Sequence, residues 1–276
     1  MNYVQLPERV LMQVSGDDRF DFLQGLVSND VQRVKQGEAV YAALLTPQGK
    51  FLHDFILYPQ ADAIWLDTHQ ARADDLRKRL QLYKLRSKVA IEALPESMGV
   101  VAAWGGEAAV GFADPRDACL GVRLPGDVAA NLHLAEKNGW LQQSAGEYDY
   151  LRLRCGVADS SRDLTADKSL LLESRFEEMQ GVSFTKGCYV GQEVTARSKH
   201  RGQVRKSLAV VQLQQGHFPD IGTPIMVGDK IVGEMKSHCR DLGMALLRLD
   251  EIEALNASQL HIGDAIVTRF FIQEAV

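Results

Sequence analysis

Between Phe20 and Leu26 the apolar residues Phe20, Phe22, Leu23 and Leu26 fall at helical spacing behind the polar run Ser15-Gly16-Asp17-Asp18, which predicts a capped amphipathic helix. Gly25 within it is expected to let another backbone approach closely. Two apolar runs follow, Ala39 to Leu45 and Phe51 to Tyr58, on either side of Thr46-Pro47-Gln48-Gly49-Lys50. Proline and glycine in that connection favour a turn, so the pair reads as a β-hairpin. Ile64 to Thr68 gives a third strand. Ala73, Leu76, Leu80 and Tyr83 then recur at helical spacing, predicting a helix over Ala71 to Lys88 ahead of a strand from Val89 to Ala93. Farther on, Ser144-Ala145-Gly146-Glu147 is a capping-box pattern. The helix it starts carries Tyr148, Leu151 and Cys155 on one face and stops at Gly156. Periodicity weakens from Ser160 to Thr185, which predicts a wrapped loop with one short helix near Glu173 to Met179.

Beyond Gly202 the pattern changes to short β-rich runs: Ser207 to Leu213, Thr223 to Val227, Lys230 to Met235, Met244 to Leu249 and Ala265 to Phe271. Gly228-Asp229 is a tight hairpin turn. Strands so short and so closely spaced indicate a small C-terminal β-barrel or sandwich. Upstream, hairpins mixed with helices favour an α+β arrangement over a doubly wound sheet. The pattern therefore parts the chain into an α+β region over 1–200 and a β-rich region over 201–276.

Composition adds exclusions. With 276 residues, 46% hydrophobic and 24% charged, the chain has the profile of a folded globular protein. Its formal charge of -5 gives no overall attraction to nucleic acid or to an anionic membrane. No apolar segment is long enough for a secretory core near Met1 to Val10, and the run Met98 to Phe112 is broken by Glu107 and glycines, so no membrane partner and a cytoplasmic location are expected. Cys119, Cys155, Cys188 and Cys239 lie far apart without a Cys-x-x-Cys pair. Reduced thiols and no resident metal site follow as the expectation.

The phosphate-binding, zinc-protease, esterase and dinucleotide motifs are all absent. The most informative stretch is Gly181-Val182-Ser183-Phe184-Thr185-Lys186-Gly187-Cys188-Tyr189-Val190-Gly191-Gln192-Glu193-Val194-Thr195-Ala196-Arg197. Glycines bracket a cysteine and a tyrosine, and a helix is expected from Gln192 onward. Backbone N–H groups, the helix mouth and Lys186 would together stabilise a thiolate at Cys188. The bland reading is a small buried hydrophobe at that position.

The run Lys186-Gly187-Cys188-Tyr189-Val190-Gly191-Gln192-Glu193 resembles the signature of the YgfZ-like folate-binding branch of the aminomethyltransferase (glycine-cleavage T-protein) superfamily, relatives of mitochondrial iron-sulfur assembly factors. Gly16-Asp17 with Phe22-Leu23-Gln24-Gly25-Leu26-Val27-Ser28-Asn29-Asp30 is similar to the family's first motif, Thr46 to Lys50 to its hairpin turn, and Gly222-Thr223-Pro224 with Val232-Gly233 to its barrel. The resemblance implies an α+β fold with ferredoxin-like features: a three-part ring of two α+β portions, interleaved over residues 1–200 and parting near 95–120, and an antiparallel β-barrel over 201–276, around a central cavity that binds tetrahydrofolate. It also implies a role in maintaining iron-sulfur clusters, with transient cluster contact and with clients that include tRNA-methylthiolating enzymes. Carried onto this chain, the folate contacts would fall on Gln24, Asn29, Asp54, Tyr148, Lys186, Tyr189, Gln192 and Glu193, and the reactive groups would be Cys188 and Asp54.

On the strand Phe51 to Tyr58, alternation places Asp54 with Leu52 and Ile56, away from His53 and Phe55. A carboxylate on an apolar face must be paired, neutralised or functional. Aminomethyltransferases resemble this segment but carry two acids where this chain has His53-Asp54, the second being their catalytic aspartate. Arg154 departs in the same way, standing where relatives often have glutamate. Two basic stretches, Arg72 to Lys88 with seven Lys/Arg and Lys186 to Lys206 with six, read as solvated faces or as a docking surface for tRNA or an acidic protein. Three functions therefore stand side by side: a folate-binding accessory factor for iron-sulfur proteins, a folate-dependent aminomethyl transferase with Asp54 as general acid, and a tRNA-docking protein.

Overall fold

A computed structural model describes residues 1–202 and 204–270. Its first part runs β1 (Asn2–Gln5), β2 (Arg9–Ser15), α1 (Arg19–Gln24), α2 (Gln32–Lys35), β3 (Val40–Leu45), β4 (Phe51–Pro59), β5 (Ala63–His69), α3 (Gln70–Lys84) and β6 (Ala90–Ala93). The second contains β7 (Met98–Trp104), β8 (Phe112–Ala113), β9 (Val122–Asp127), α4 (Val128–Lys137) and β10 (Leu141–Gln142). Strands β3-β4-β5-β2-β6 form one five-stranded sheet and β10-β1-β7-β9-β8 another. The chain thus enters through the second sheet, at β1, before building the first.

Strand β3 is buried along its whole length, and its side chains divide by parity. Val40, Ala42 and Leu44 pack with Leu23, Leu76 and Leu80 under the helices, whereas Tyr41, Ala43 and Leu45 face inward with Phe51, Ile56 and Tyr58. The second sheet divides likewise: Tyr3, Val101, Ala103 and Leu124 lie under α4, and Val4, Val100, Ala102 and Trp104 join the inward core. Both sheets are covered on two faces, so their central strands read as nearly continuous apolar runs. α5 (Ala145–Arg154), α6 (Ser160–Asp163) and α7 (Gln192–Arg201) follow. β11 (Ser207–Gln215), β12 (Pro224–Val227), β13 (Lys230–Cys239), β14 (Leu242–Leu247), α8 (Leu249–Ala254), β15 (Leu260–Ile262) and β16 (Ala265–Arg269) complete the described residues, and the six strands close a barrel. Leu208, Val210, Leu242 and Met244 of the barrel belong to the same inward core as both sheets, which makes one apolar centre common to three parts.

The hairpin, the third strand and the Ser144 cap stand where the sequence predicts them: Ser144 Oγ accepts the Glu147 N–H at 3.3 Å. The first helix is different, because Asp18 makes no side-chain cap and its carboxylate instead accepts the Lys88 N–H at 2.7 Å. Another backbone does approach Gly25, whose carbonyl accepts the Val190 N–H at 3.2 Å, although an added Cβ would meet nothing closer than 3.8 Å. α3 ends at Lys84, four residues early, where Leu85 turns to φ 44°. No helix forms over Glu173 to Met179: Arg175 at φ 60° interrupts it, leaving consecutive turns, and the short helix of this region is α6. The barrel adds β15, unforeseen in the pattern. The expected last strand ends at Arg269, and Phe271 lies outside the described residues. The expectation of four reduced thiols is also corrected, because the fold brings Cys119 and Cys155 together as a disulfide, 36 positions apart in sequence.

Candidate functional site

A cavity of about 470 Å³ opens between the two sheets and the segment that follows them, α5 and α6. Arg9 of β2, Asp54 of β4 and His69 of β5 approach it from the first sheet, and Arg116 and Arg123 from the second. Tyr148, Asp149 and Arg152 of α5 form a further wall, continued by Asp159 to Arg162. α5 itself packs on β13 and β14 of the barrel.

Asp54 is buried, with Ala43 of the hairpin partner opposite it. The expected alternation holds: Ile56 shares the inward core, whereas Phe55 packs under the helices and His53 points the same way to meet Asp75 of α3 at 2.8 Å. Burial pushes the His53 imidazole below its ordinary value, against the pull of Asp75. The Asp54 carboxylate accepts from the Tyr41 hydroxyl at 3.0 Å and from the Ser160 hydroxyl. It is therefore fixed by two neutral donors and borders the cavity without a guanidinium bonded to it. Burial raises the Tyr41 hydroxyl well above its usual range, and the nearby Asp54 adds to that shift.

Behind the cavity runs a chain of alternating charges. Arg123, fully enclosed, donates to Asp67 at 2.7 Å, Asp114 at 3.3 Å, the Tyr58 hydroxyl at 3.0 Å and the Tyr148 hydroxyl at 3.2 Å. Arg9 reaches the other Asp67 oxygen at 2.6 Å, and Arg116 clamps Asp114 with two nitrogens at 2.9 and 2.7 Å. Burial would raise the Asp114 carboxyl, but Arg116 and then Arg123 hold it down at about 2. Charges removed from water need this degree of pairing. On the barrel side, Arg152 donates to Asp149, Asp163 and Ser237 Oγ, the last at 2.7 Å, while the Ser237 N–H donates to Asp163 at 3.1 Å.

Of the residues singled out from the sequence, Asp54 and Tyr148 border this cavity. The Tyr148 ring is turned against Trp104, with centroids 5.6 Å apart, and its hydroxyl meets the arginines. Gln24, Asn29, Lys186, Tyr189, Gln192 and Glu193 are absent from its lining. Most of them brace the backbone: Gln24 bonds Asp30 and the Val31 N–H, Asn29 donates to the Tyr41 and Gln180 carbonyls, and Gln192 accepts the Tyr189 N–H. Glu193 is exposed. The Lys186 ammonium donates to the carbonyls of Gln24, Val27 and Asn29 at 2.7, 2.8 and 2.7 Å, and burial lowers it to about 8. Burial raises the Tyr189 hydroxyl to about 12. Cys188 is an exposed free thiol, neither a buried hydrophobe nor a lining group of the cavity. α7 begins beyond it at Gln192, capped by Gly191 at φ 81°, and the Thr46 to Lys50 turn lies against that glycine. The Lys186-to-Glu193 segment is thus a loop outside the cavity, pinned to the hairpin turn, with Tyr189 in the inward core and Cys188 exposed on its outer side.

The arginines, Ser160 and Asp159 escaped the sequence reading, although Asp159-Ser160-Ser161-Arg162 is a polar run of helix-start type. Arg154 is exposed and does not line the cavity. The basic stretches are partly neutralised, by Asp74 on Arg77, Asp75 on Arg79 and Glu177 on Lys199. Among the described residues Asp117, Cys119 and Cys155 are close enough to share a metal ion, a grouping the sequence did not suggest. No helix among them is long and apolar enough to cross a membrane.

Residues 10–112 match the GCVT N-terminal domain, and residues 205–271 match the CAF17 C-terminal beta-barrel domain. The chain is 32% identical over 280 residues to the human "Iron-sulfur cluster assembly factor IBA57, mitochondrial", covering 90% of this chain and 78% of that protein. It is 31% identical to homologues of that factor from Aspergillus fumigatus, over 81% of this chain, and Neurospora crassa, over 79% of it. The chain spans 60% and 55% of the length of those two fungal relatives. The crystal structure of glycine cleavage system aminomethyltransferase T from Bartonella henselae superposes with a TM-score of 0.75 at 16% identity, covering 97% of this chain and 84% of that one, which establishes the shared fold. The expectation of a cytoplasmic location is overturned here: these relatives are named as mitochondrial proteins, so the lack of a secretory core does not make the cytoplasm a default.

Proposed function

Because the chain belongs to the family of iron-sulfur cluster assembly factors named IBA57, within the aminomethyltransferase superfamily, we propose that it serves iron-sulfur cluster assembly with a reduced folate of the tetrahydrofolate type in its central cavity. The observation that carries the folate part is the cavity itself: about 470 Å³, in the range of small-molecule sites, with carboxylates and several guanidinium groups in its lining. The donor set suits that ligand. Asp54 accepts hydrogen bonds from ring N–H groups, and Arg9 and Arg116 each turn to the carboxylates of a glutamate tail the terminal nitrogen that they do not spend on Asp67 or Asp114. When bound, the folate supplies one-carbon or redox chemistry. The chain's own residues orient it: Tyr41 and Ser160 fix the carboxylate of Asp54, and Arg123 fixes the Tyr148 hydroxyl.

Cys188 has a separate task in this reading. Exposed on the outer loop, it meets the cluster-bearing client rather than the folate. The clients include enzymes that methylthiolate tRNA. Since several cations of the basic stretches are already engaged by carboxylates, tRNA enters as a client's substrate and not as a ligand of this chain.

Anaerobic titration with tetrahydrofolate, followed by tryptophan fluorescence, tests the cavity. Trp104 reports on it through Tyr148. Saturable quenching is expected, and Asp54→Asn should weaken it roughly tenfold; a flat titration removes folate from the account. Cys188→Ala should keep the folate affinity while lowering cluster-dependent enzyme activities in cells that rely on this chain. The aminomethyl transferase reading, favoured by the placement of Asp54, is decided by incubation with a methylamine donor and tetrahydrofolate, where product formation supports it and its absence rejects it.

A further inference from the structure

One pair of side chains is placed for chemistry that neither the cavity nor the Cys188 loop uses. Cys119 lies in a single turn of 3-10 helix, Ala118–Leu120, and Cys155 caps the end of α5. Their Cα atoms are 6.3 Å apart and their sulfurs are bonded. Cys155 is buried in the inward core, whereas Cys119 is only partly covered and packs at its edge. The two segments so joined are the ones that build a wall of the cavity. Arg116 is three residues before Cys119, and α5 carries Tyr148, Asp149 and Arg152 ahead of Cys155. Across the wall Arg116 reaches the Tyr148 hydroxyl at 3.4 Å, and Arg123 contacts both Asp114 and Tyr148.

We propose that Cys119 and Cys155 form a thiol–disulfide exchange site for low-molecular-weight disulfides of the glutathione type, and that its closure clamps this wall of the cavity. The reaction balances without another co-reactant. The Cys119 thiolate, its proton given to water, attacks one sulfur of the incoming disulfide, forming a mixed disulfide and expelling one thiolate. Cys155, once deprotonated, attacks Cys119 Sγ and expels the second thiolate. Two protein thiols are oxidised and one small disulfide is reduced to two thiols. The order follows from access, since only Cys119 is open to a solute. Cys188 and Cys239 are free, so with the same reagent each stops at the mixed disulfide. The site is independent of which ligand the cavity takes.

The test uses the whole chain, fully reduced and then equilibrated with oxidised glutathione in the presence of a chelator. The chelator matters because Asp117 and both sulfurs lie within 4.8 Å of one another, and a bound metal would also shield the thiols. After quenching with a maleimide and digestion without reductant, the expected product is a cross-linked peptide joining Cys119 to Cys155, with adducts at Cys188 and Cys239. Glutathione retained on Cys119 beside an alkylated Cys155 overturns the site. Oxidation should raise the melting temperature of the wild type on the order of 5 to 10 °C and leave Cys119→Ser unmoved. If that variant does not fold, the reduced and oxidised wild type carry the comparison. Hydrogen exchange over 114–120 and 145–152 should slow in the oxidised form, and equal exchange in both forms overturns the clamp.

Discussion

Ser160 donates its hydroxyl to Asp54 across 106 positions of sequence, so the one carboxylate that the first sheet presents to the cavity is held by a residue of a different structural part. Removing that donor in Ser160→Ala leaves Tyr41 as its remaining side-chain partner. A stability loss of about 1–2 kcal/mol is expected, together with weaker folate binding. Denaturant unfolding and the fluorescence titration measure the two effects separately.

Arg123 is the hub through which both sheets satisfy their buried aspartates. Arg123→Met strands Asp67 and Asp114 with fewer cations, and the expected cost is about 3–5 kcal/mol. Arg123→Lys should recover little of it, because a single ammonium cannot reproduce the four directed contacts of the guanidinium. Equal stability of the methionine variant and the wild type would contradict this role.

Acid should expose the same network. The folded Asp114 carboxyl titrates at about 2 instead of 3.8, so its contribution is complete above the unfolded value and is lost as pH falls from 3.8 toward 2. The loss attributable to this group is about 2 kcal/mol. Asp67, Asp149 and Asp159 are lowered too and act in the same direction. Unfolding free energies measured through that window should therefore drop steeply for the wild type and less steeply for Asp114→Asn.

Gly191 sits at φ 81°, and an added Cβ would come within 2.4 Å of the Thr46 carbonyl oxygen. Gly191→Ala should lift the Cys188 loop from the hairpin turn at a cost of at least about 2 kcal/mol. Faster proteolysis between Gly181 and Arg201 is the expected sign, with cluster-dependent activity falling alongside it. Unaltered cleavage would show that the turn does not pin the loop.

The hairpin around Pro47 and Gly49 was legible in the sequence because everything that defines it is local: two apolar runs and the turn between them. Face assignment on β4 was legible for the same reason, strand alternation alone separating Asp54 from His53. The cavity was not. Arg116, Arg152 and Ser160 reach it from loops and short helices whose positions depend on distant partners, Ser237 lying 85 residues from Arg152. Motif residues misled in a complementary way: Lys186 and Asn29 look like ligand groups, yet their polar atoms are spent on backbone carbonyls. The placement of β1 in the second sheet has no local signature: four residues are too few for a pattern, and the sequence predicts no strand there.

The bond from Arg152 to Ser237 ties the barrel to the wall of the cavity. A nascent chain that has completed both sheets but not the barrel still lacks the anchor that orients Arg152 and Asp163. A product truncated ahead of Ser237 should therefore hold a cavity ligand less firmly than the full chain, even where both of its sheets are sound.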